Sequence, residues 1–246
     1  MPLEMQHEHS TEAIRERLEE GSEASYLRDW VYGGIDGAVT TFAIVSGVVG
    51  ADLSIGVILV LGAANVVADG FSMAASNYTG TKAEIEEHAR IRHHEERQVD
   101  RDPEGEIREV REIFRNKGFE GDDLDRAVEI ITADRRLWVD TMMVEEYGIA
   151  PANRSPARAA AGTFLAFLLC GLVPLLPFTL APWLIERDVA VIASVVATAA
   201  TFFAIGSAKS RWSLVSWWRS GGETMAIGLA AAVMAYLIGY ALRSLL

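Results

Sequence analysis

Four residues stand out because their side chains are costly where the sequence puts them. Asp36 lies in the apolar run WVYGGIDGAVTTFAIVSGVVGA, residues 30–51, and Asn65, Asp69 and Met73 lie in LSIGVILVLGAANVVADGFSMAASNY, residues 53–78. An ionised carboxylate in hydrocarbon costs roughly 2.5–3.5 kcal/mol on insertion scales, so it normally faces a bundle interior, a partner or a water-filled path. Asn65, Asp69, Met73 and Asn77 recur at every fourth position. On an α-helix each such step turns about 400°, which leaves them as a slowly drifting stripe on one face. Hard oxygen donors beside a soft thioether suit a borderline divalent transition ion better than Ca or Mg. The plain alternatives are packing for Met73 and an interhelical hydrogen bond for Asn65. Two acids at lipid depth point to a transporter rather than a passive anchor.

A second set lies in the charged stretch 82–158. Glu95, Glu106, Glu109 and Glu146 recur there at helical spacing, with Met142 and Met143 nearby. Carboxylates at i, i+3 share a helix face and can jointly hold a metal, as in bundle di-metal sites. The same pattern describes a solvated face with Arg partners, and spacing alone leans to that reading. His88, His93 and His94, with His7 and His9 in the tail, read as surface residues. No HExxH or cysteine pair supports a zinc hydrolase, and no nucleophile–base constellation supports an enzyme. The lone Cys170, inside an apolar run, can form no intrachain disulfide and reads as a small core residue.

The elements that position these residues follow from segregation along the chain. Its 246 residues are half hydrophobic with a positive mean hydropathy, yet the formal net charge is −12. Apolar blocks at 30–51, 53–78, 157–180, 188–208 and 223–242 each approach the roughly 20 residues that cross a bilayer. The fold class is an all-α membrane protein with five transmembrane helices and a cytoplasmic helical metal-binding insertion between helices 2 and 3. The expected organisation is 1–29 as a cytoplasmic amphipathic segment, 30–80 as helices 1–2, 81–156 as the insertion and 157–246 as helices 3–5. The first residues lack a basic n-region before an apolar core, so they are not a signal peptide. Ile14, Leu18 and Leu27 among charges suggest a short amphipathic helix. Negative charge and the lack of a Gly-rich phosphate loop argue against a nucleic-acid partner.

Glycines crowd both functional helices, which predicts that the two pack on each other or on a second copy. Pro174 and Pro177 in CGLVPLLPF must break and kink the third helix. The second helix is predicted to run on without a breaker to Asp102-Pro103. Further helices are predicted over 104–116, from a cap at Asp122 or Asp123, and on through RRLWVDTMMVEEYG to Gly148. Lysine and arginine are absent from Ala51-Asp52-Leu53 and reduced to Arg187 between Pro182 and Val189. They are plentiful in the insertion and in the 209–219 connection, where Lys209, Arg211 and Arg219 sit beside Trp212, Trp217 and Trp218. The positive-inside rule then places the N-terminus and insertion in the cytosol and the C-terminus outside.

With these residues in hand, the chain resembles the vacuolar iron transporter family. The resemblance rests on DGAVTTFAIVSGVVGA, GAANVVADGFSMAASNY, WVDTMMVEEYG and CGLVPLLPF, and covers nearly everything after residue 28. It implies a homodimer that moves Fe(II), and often Mn(II), out of the cytosol in exchange for protons. It implies a membrane path lined by Asp36 and Met73, and metal binding in the insertion by Glu95, Glu106, Glu109, Met142, Met143 and Glu146. Asn65 stands where plant-type members have a glutamate, and Gln98 where they have another. Because Asn cannot titrate, Asp69, one turn along, is the expected substitute in proton coupling.

The expected protein is therefore a multi-pass exporter of the inner membrane of a bacterium. Its partners are a second copy, divalent metal ions, protons and the bilayer, with Fe(II) or Mn(II) as cargo and no prosthetic group. The rival expectation is a membrane-anchored metal-binding or sensing protein that transports nothing.

Overall fold

The computed structural model describes residues 9–20, 24–149, 154–181 and 184–245, and all regular structure among them is helical. His7, Pro182 and the side chain of Leu18, named above, lie outside what is described. The α-helices in chain order are α1 (Thr11–Glu20), α2 (Leu27–Gly50), α3 (Ile55–Arg101), α4 (Pro103–Asn116), α5 (Gly121–Ala133), α6 (Arg135–Glu145), α7 (Pro156–Leu172), α8 (Leu176–Leu180), α9 (Arg187–Lys209) and α10 (Trp217–Leu242). Among the described residues, five stretches are long and apolar enough to cross a membrane: Leu27–Gly50, the first part of Ile55–Arg101, Pro156–Leu180, Arg187–Trp212 and Trp217–Leu245. The chain divides into two compact units, one of residues 1–79 with 154–246 and one of residues 80–153.

In the first unit α2 is central, packing on α7, α9 and α10. Ala38, Phe42, Val45, Ile58, Val66, Phe178 and Phe202 form its core. The glycine face of α2 closes on α7 and α10 rather than on α3, one of the two partners expected from the sequence. A Cβ at Gly37 would lie 2.4 Å from the carbonyl oxygen of Phe167, and one at Gly239 would lie 2.0 Å from that of Gly47. Backbones this close admit no side chain, which is why small residues occur at both crossings. The glycines of α3 meet larger neighbours, Gly62 facing Leu175 and Gly70 facing Phe164 and Phe167.

The third span breaks where its prolines fall. α7 stops at Leu172, a single 3-10 turn covers Val173–Leu175, and α8 resumes at Leu176. The buried hydroxyl of Ser194 on α9 donates to the carbonyl of Pro174 at 2.7 Å. That bond satisfies a group in the kinked segment that would otherwise be costly in an apolar interior.

The second unit takes the C-terminal part of α3 together with α4, α5 and α6. α3 runs unbroken to Arg101. Asp102 then caps α4, its Oδ1 accepting from the Gly105 N–H at 3.0 Å, and Pro103 fills the first position, where no N–H is needed. α4 ends before Lys117, and Gly118 adopts φ +95°. Another left-handed residue, Gly121 at φ +55°, opens α5. The helix therefore starts after Glu120, earlier than the cap expected at Asp122 or Asp123. Those two acids occupy its first turn and face the positive end of its dipole instead. Val99, Val110, Leu124, Val128, Trp138, Val139, Met142 and Met143 form the core of this unit.

Candidate functional site

Two groups of residues carry the chemistry, one in each unit. In the membrane-spanning unit Asp36, Asn65 and Met73 are half-buried, whereas Asp69 is exposed. The carboxylates of Asp36 and Asp69, on neighbouring helices, are close enough for their charges to interact. Asn65 donates its amide to Thr40 Oγ1 at 3.1 Å, and the Thr40 hydroxyl donates to the Asp36 carbonyl at 2.9 Å. α2 and α3 are thus joined by a hydrogen bond one turn from Asp36 on α2. The fourth member of the stripe, Asn77, is engaged elsewhere. Its amide donates to Asp29 at 2.8 Å, to Thr163 Oγ1 at 2.7 Å and to the Ala159 carbonyl at 3.2 Å.

That buried Asp29 is the residue the sequence reading missed. It is 2% exposed and held by Arg154, whose Nη2 lies 2.8 and 2.6 Å from its two oxygens. Tyr26 supports the same corner, its hydroxyl accepting from the Ser155 N–H at 2.9 Å. The available signal was an acid at the edge of an apolar run and an arginine just before the next one. The two are 125 residues apart, so nothing local links them.

In the second unit Glu95 and Glu106 are buried, at 1% and 5% exposure, while Glu109 and Glu146 stay at the surface. One carboxylate oxygen of each buried acid, Glu95 Oε1 and Glu106 Oε2, has no hydrogen-bond partner among the described residues. The Tyr147 hydroxyl donates to Glu95 Oε2 at 3.3 Å. Burial, the adjoining Glu95 carboxyl and the charges of Glu109 and Glu146 push Glu106 up to about 8. Partial desolvation, then the charges of Glu95 and Glu109, also raise Glu146, with the adjoining Tyr147 hydroxyl opposing. Tyr147 itself is held above the ordinary phenol range by burial first and then by these acids. Two buried carboxyls attract only through a shared proton or a cation. Met142 and Met143 lie in the apolar core of the same unit. Among the described residues no three His, Cys, Asp or Glu side chains converge at metal-ligating distance. The acids are an open, electrostatically coupled group rather than a closed ligand set. His88 is half-buried, its Nδ1 without a hydrogen-bond partner among the described residues, and His93 sits 3.9 Å from Glu96.

A sequence model described as the VIT family matches residues 27–240. The chain belongs to the VIT family. It is 33% identical over 213 residues to vacuolar iron transporter 1 of Arabidopsis thaliana, covering 86% of this chain and 84% of that protein. It is 34% identical over 229 residues to the vacuolar iron transporter of Toxoplasma gondii, covering 89% and 75%. Identity to the vacuolar iron transporter of Plasmodium falciparum is 27% over 225 residues, covering 89% and 82%. VIT family members are transporters, not enzymes. With its five apolar spans, this one is an integral, multi-pass membrane protein. The matched region contains both carboxylate groups, from Asp36 to Glu146.

Proposed function

We propose that this VIT family protein carries a divalent transition metal ion, Fe(II) first and Mn(II) as a second cargo, out of the cytosol in exchange for protons. The observation that carries the reading is the pair Asp36 and Asp69, carboxylates inside two helices apolar enough to cross a bilayer and joined beside Asp36 by the Asn65–Thr40 hydrogen bond. A cation between them removes both their mutual repulsion and part of the cost of holding charge at that depth. The relatives named above are called iron transporters, which supports iron as cargo. Met73, one turn beyond Asp69, supplies the soft donor that favours such an ion over Mg.

Direction and orientation rest on charge. α2, α7 and α10 start, and α9 ends, at one end of the bundle, and that end bears Arg28, Arg154, Arg158, Lys209, Arg211 and Arg219. The positive-inside tendency assigns it to the cytosol, along with the acid-rich second unit that would capture ions there. A homodimer is supported by Asp69, exposed in the single chain; a second copy laid on this face of α3 would keep it out of lipid.

The test is Fe(II) movement into liposomes containing the purified chain, measured against protein-free liposomes. Saturable flux supports transport. Metal binding without flux would leave the membrane-anchored binding protein.

A further inference from the structure

Ion pairing differs between the two ends of the membrane-spanning bundle. At the end holding the α2–α3 turn, Arg187 and Arg243 both bind Asp52. At the opposite end Arg154 is bound by Asp29, but Lys209, Arg211 and Arg219 have no ion-pair partner among the described residues. Residues 189–246 contain a single carboxylate side chain, Glu223, one turn along α10 from Arg219 and outside ion-pair distance of it.

These cations share a segment with large apolar side chains. Residues 211–219 are all exposed, with Trp212 at 64%, Trp217 at 59%, Trp218 at 55% and Leu214 fully accessible. The segment is tied to the bundle at Trp217. Trp217 packs edge-on against Phe203, with ring centroids 5.9 Å apart, and its carbonyl accepts from Ser207 at 3.2 Å. The Arg219 guanidinium lies 5.1 Å from the Trp218 ring centroid. Such a surface suits neither bulk water nor hydrocarbon. Indole rings favour the headgroup level, and cations beside them meet lipid phosphates. A zwitterionic headgroup leaves the net positive charge uncompensated, whereas an anionic one neutralises it.

We propose that Lys209, Arg211 and Arg219, with Trp212, Trp217 and Trp218, form a binding surface for anionic phospholipid headgroups. Each basic residue near an anionic membrane surface is worth about fivefold in association. Removing three therefore reduces selective retention by at least about tenfold, after allowance for screening.

The experiment uses the purified full chain in micelles containing equal parts phosphatidylglycerol and phosphatidylcholine, with bound lipid counted by native mass spectrometry. The wild type is expected to retain phosphatidylglycerol selectively, and the triple variant K209Q/R211Q/R219Q to lose that selectivity. The charge-conserving variant K209R/R211K/R219K keeps it, which separates charge from folding. Millimolar inorganic phosphate leaves the bound lipid in place. Equal selectivity in wild type and the glutamine variant would overturn the proposal, as would lipid displacement by free phosphate.

Discussion

Asn65 and Thr40 join the second span to the first, the Asn65 amide donating to the Thr40 hydroxyl at 3.1 Å. Asn65 occupies the stripe that carries Asp69 and Met73, yet its amide is spent on holding α3 against α2. Under the proposed mechanism Asn65→Ala lowers the transport rate severalfold while the ratio of protons to metal stays unchanged. Asp69→Asn removes the carboxylate proposed to couple protons and should uncouple metal flux from the pH gradient. A pH dye inside liposomes reads both, and unchanged proton movement in Asp69→Asn would reject Asp69 as the coupling group.

Asp36→Ala should abolish transport in a protein that still folds, because Asp36 is half-buried and takes no part in the glycine-packed crossings of α2. Met73→Leu keeps volume but loses the sulfur. It should weaken Fe(II) flux more than it shifts the thermal midpoint. Flux assays paired with thermal unfolding of each variant make the comparison.

Much of this architecture was legible in the sequence because each feature has a local physical cause. The five spans follow from apolar length, the unbroken run of α3 from the lack of a breaker before Asp102-Pro103, and the kink from Pro174 and Pro177. Asp36 and Asp69 declared themselves by being acids in apolar text. The partners of the glycines did not, since Gly37 meets Phe167 and Gly47 meets Gly239 across long sequence separations. The pairing of Asp29 with Arg154 was hidden for the same reason. The split of the insertion acids into buried Glu95 and Glu106 and exposed Glu109 and Glu146 depends on tertiary packing that helical spacing cannot give.

Glu106 makes the stability of the metal-free protein depend on pH. Its carboxyl titrates near 8 when folded and near 4.5 when unfolded, so between those values the folded state holds more protons. Stability of the second unit should therefore fall as pH rises from about 4.5 to about 8 and level off above. Metal binding should show the reverse trend, weakening as protons compete below pH 8. Thermal unfolding across this range, with and without Mn(II), reads both.

Metal should stabilise the second unit by about 2.7 kcal/mol at a hundredfold excess over its dissociation constant. Replacing Glu106 and Glu109 with Gln should remove that gain while leaving slow transport. Calorimetry of the full chain checks it. An undiminished metal-dependent shift in the double variant would show that these acids are only a charged face.

Asp29→Ala leaves the Arg154 guanidinium without its buried partner and takes an acceptor from Asn77. Breaking such a pair should cost about 3 kcal/mol. The loss is expected as a lower thermal midpoint in detergent, and an unchanged midpoint would mean that the corner contributes nothing to the fold.

The most direct measurement follows Fe(II) and protons together in liposomes holding wild-type protein or Asp36→Ala, with and without an imposed pH gradient. Wild-type protein should move Fe(II) in one direction and protons in the other, faster when the gradient favours exchange, and Asp36→Ala should move neither. Equal Fe(II) flux by a folded Asp36→Ala protein would contradict the account, as would binding without flux by the wild type.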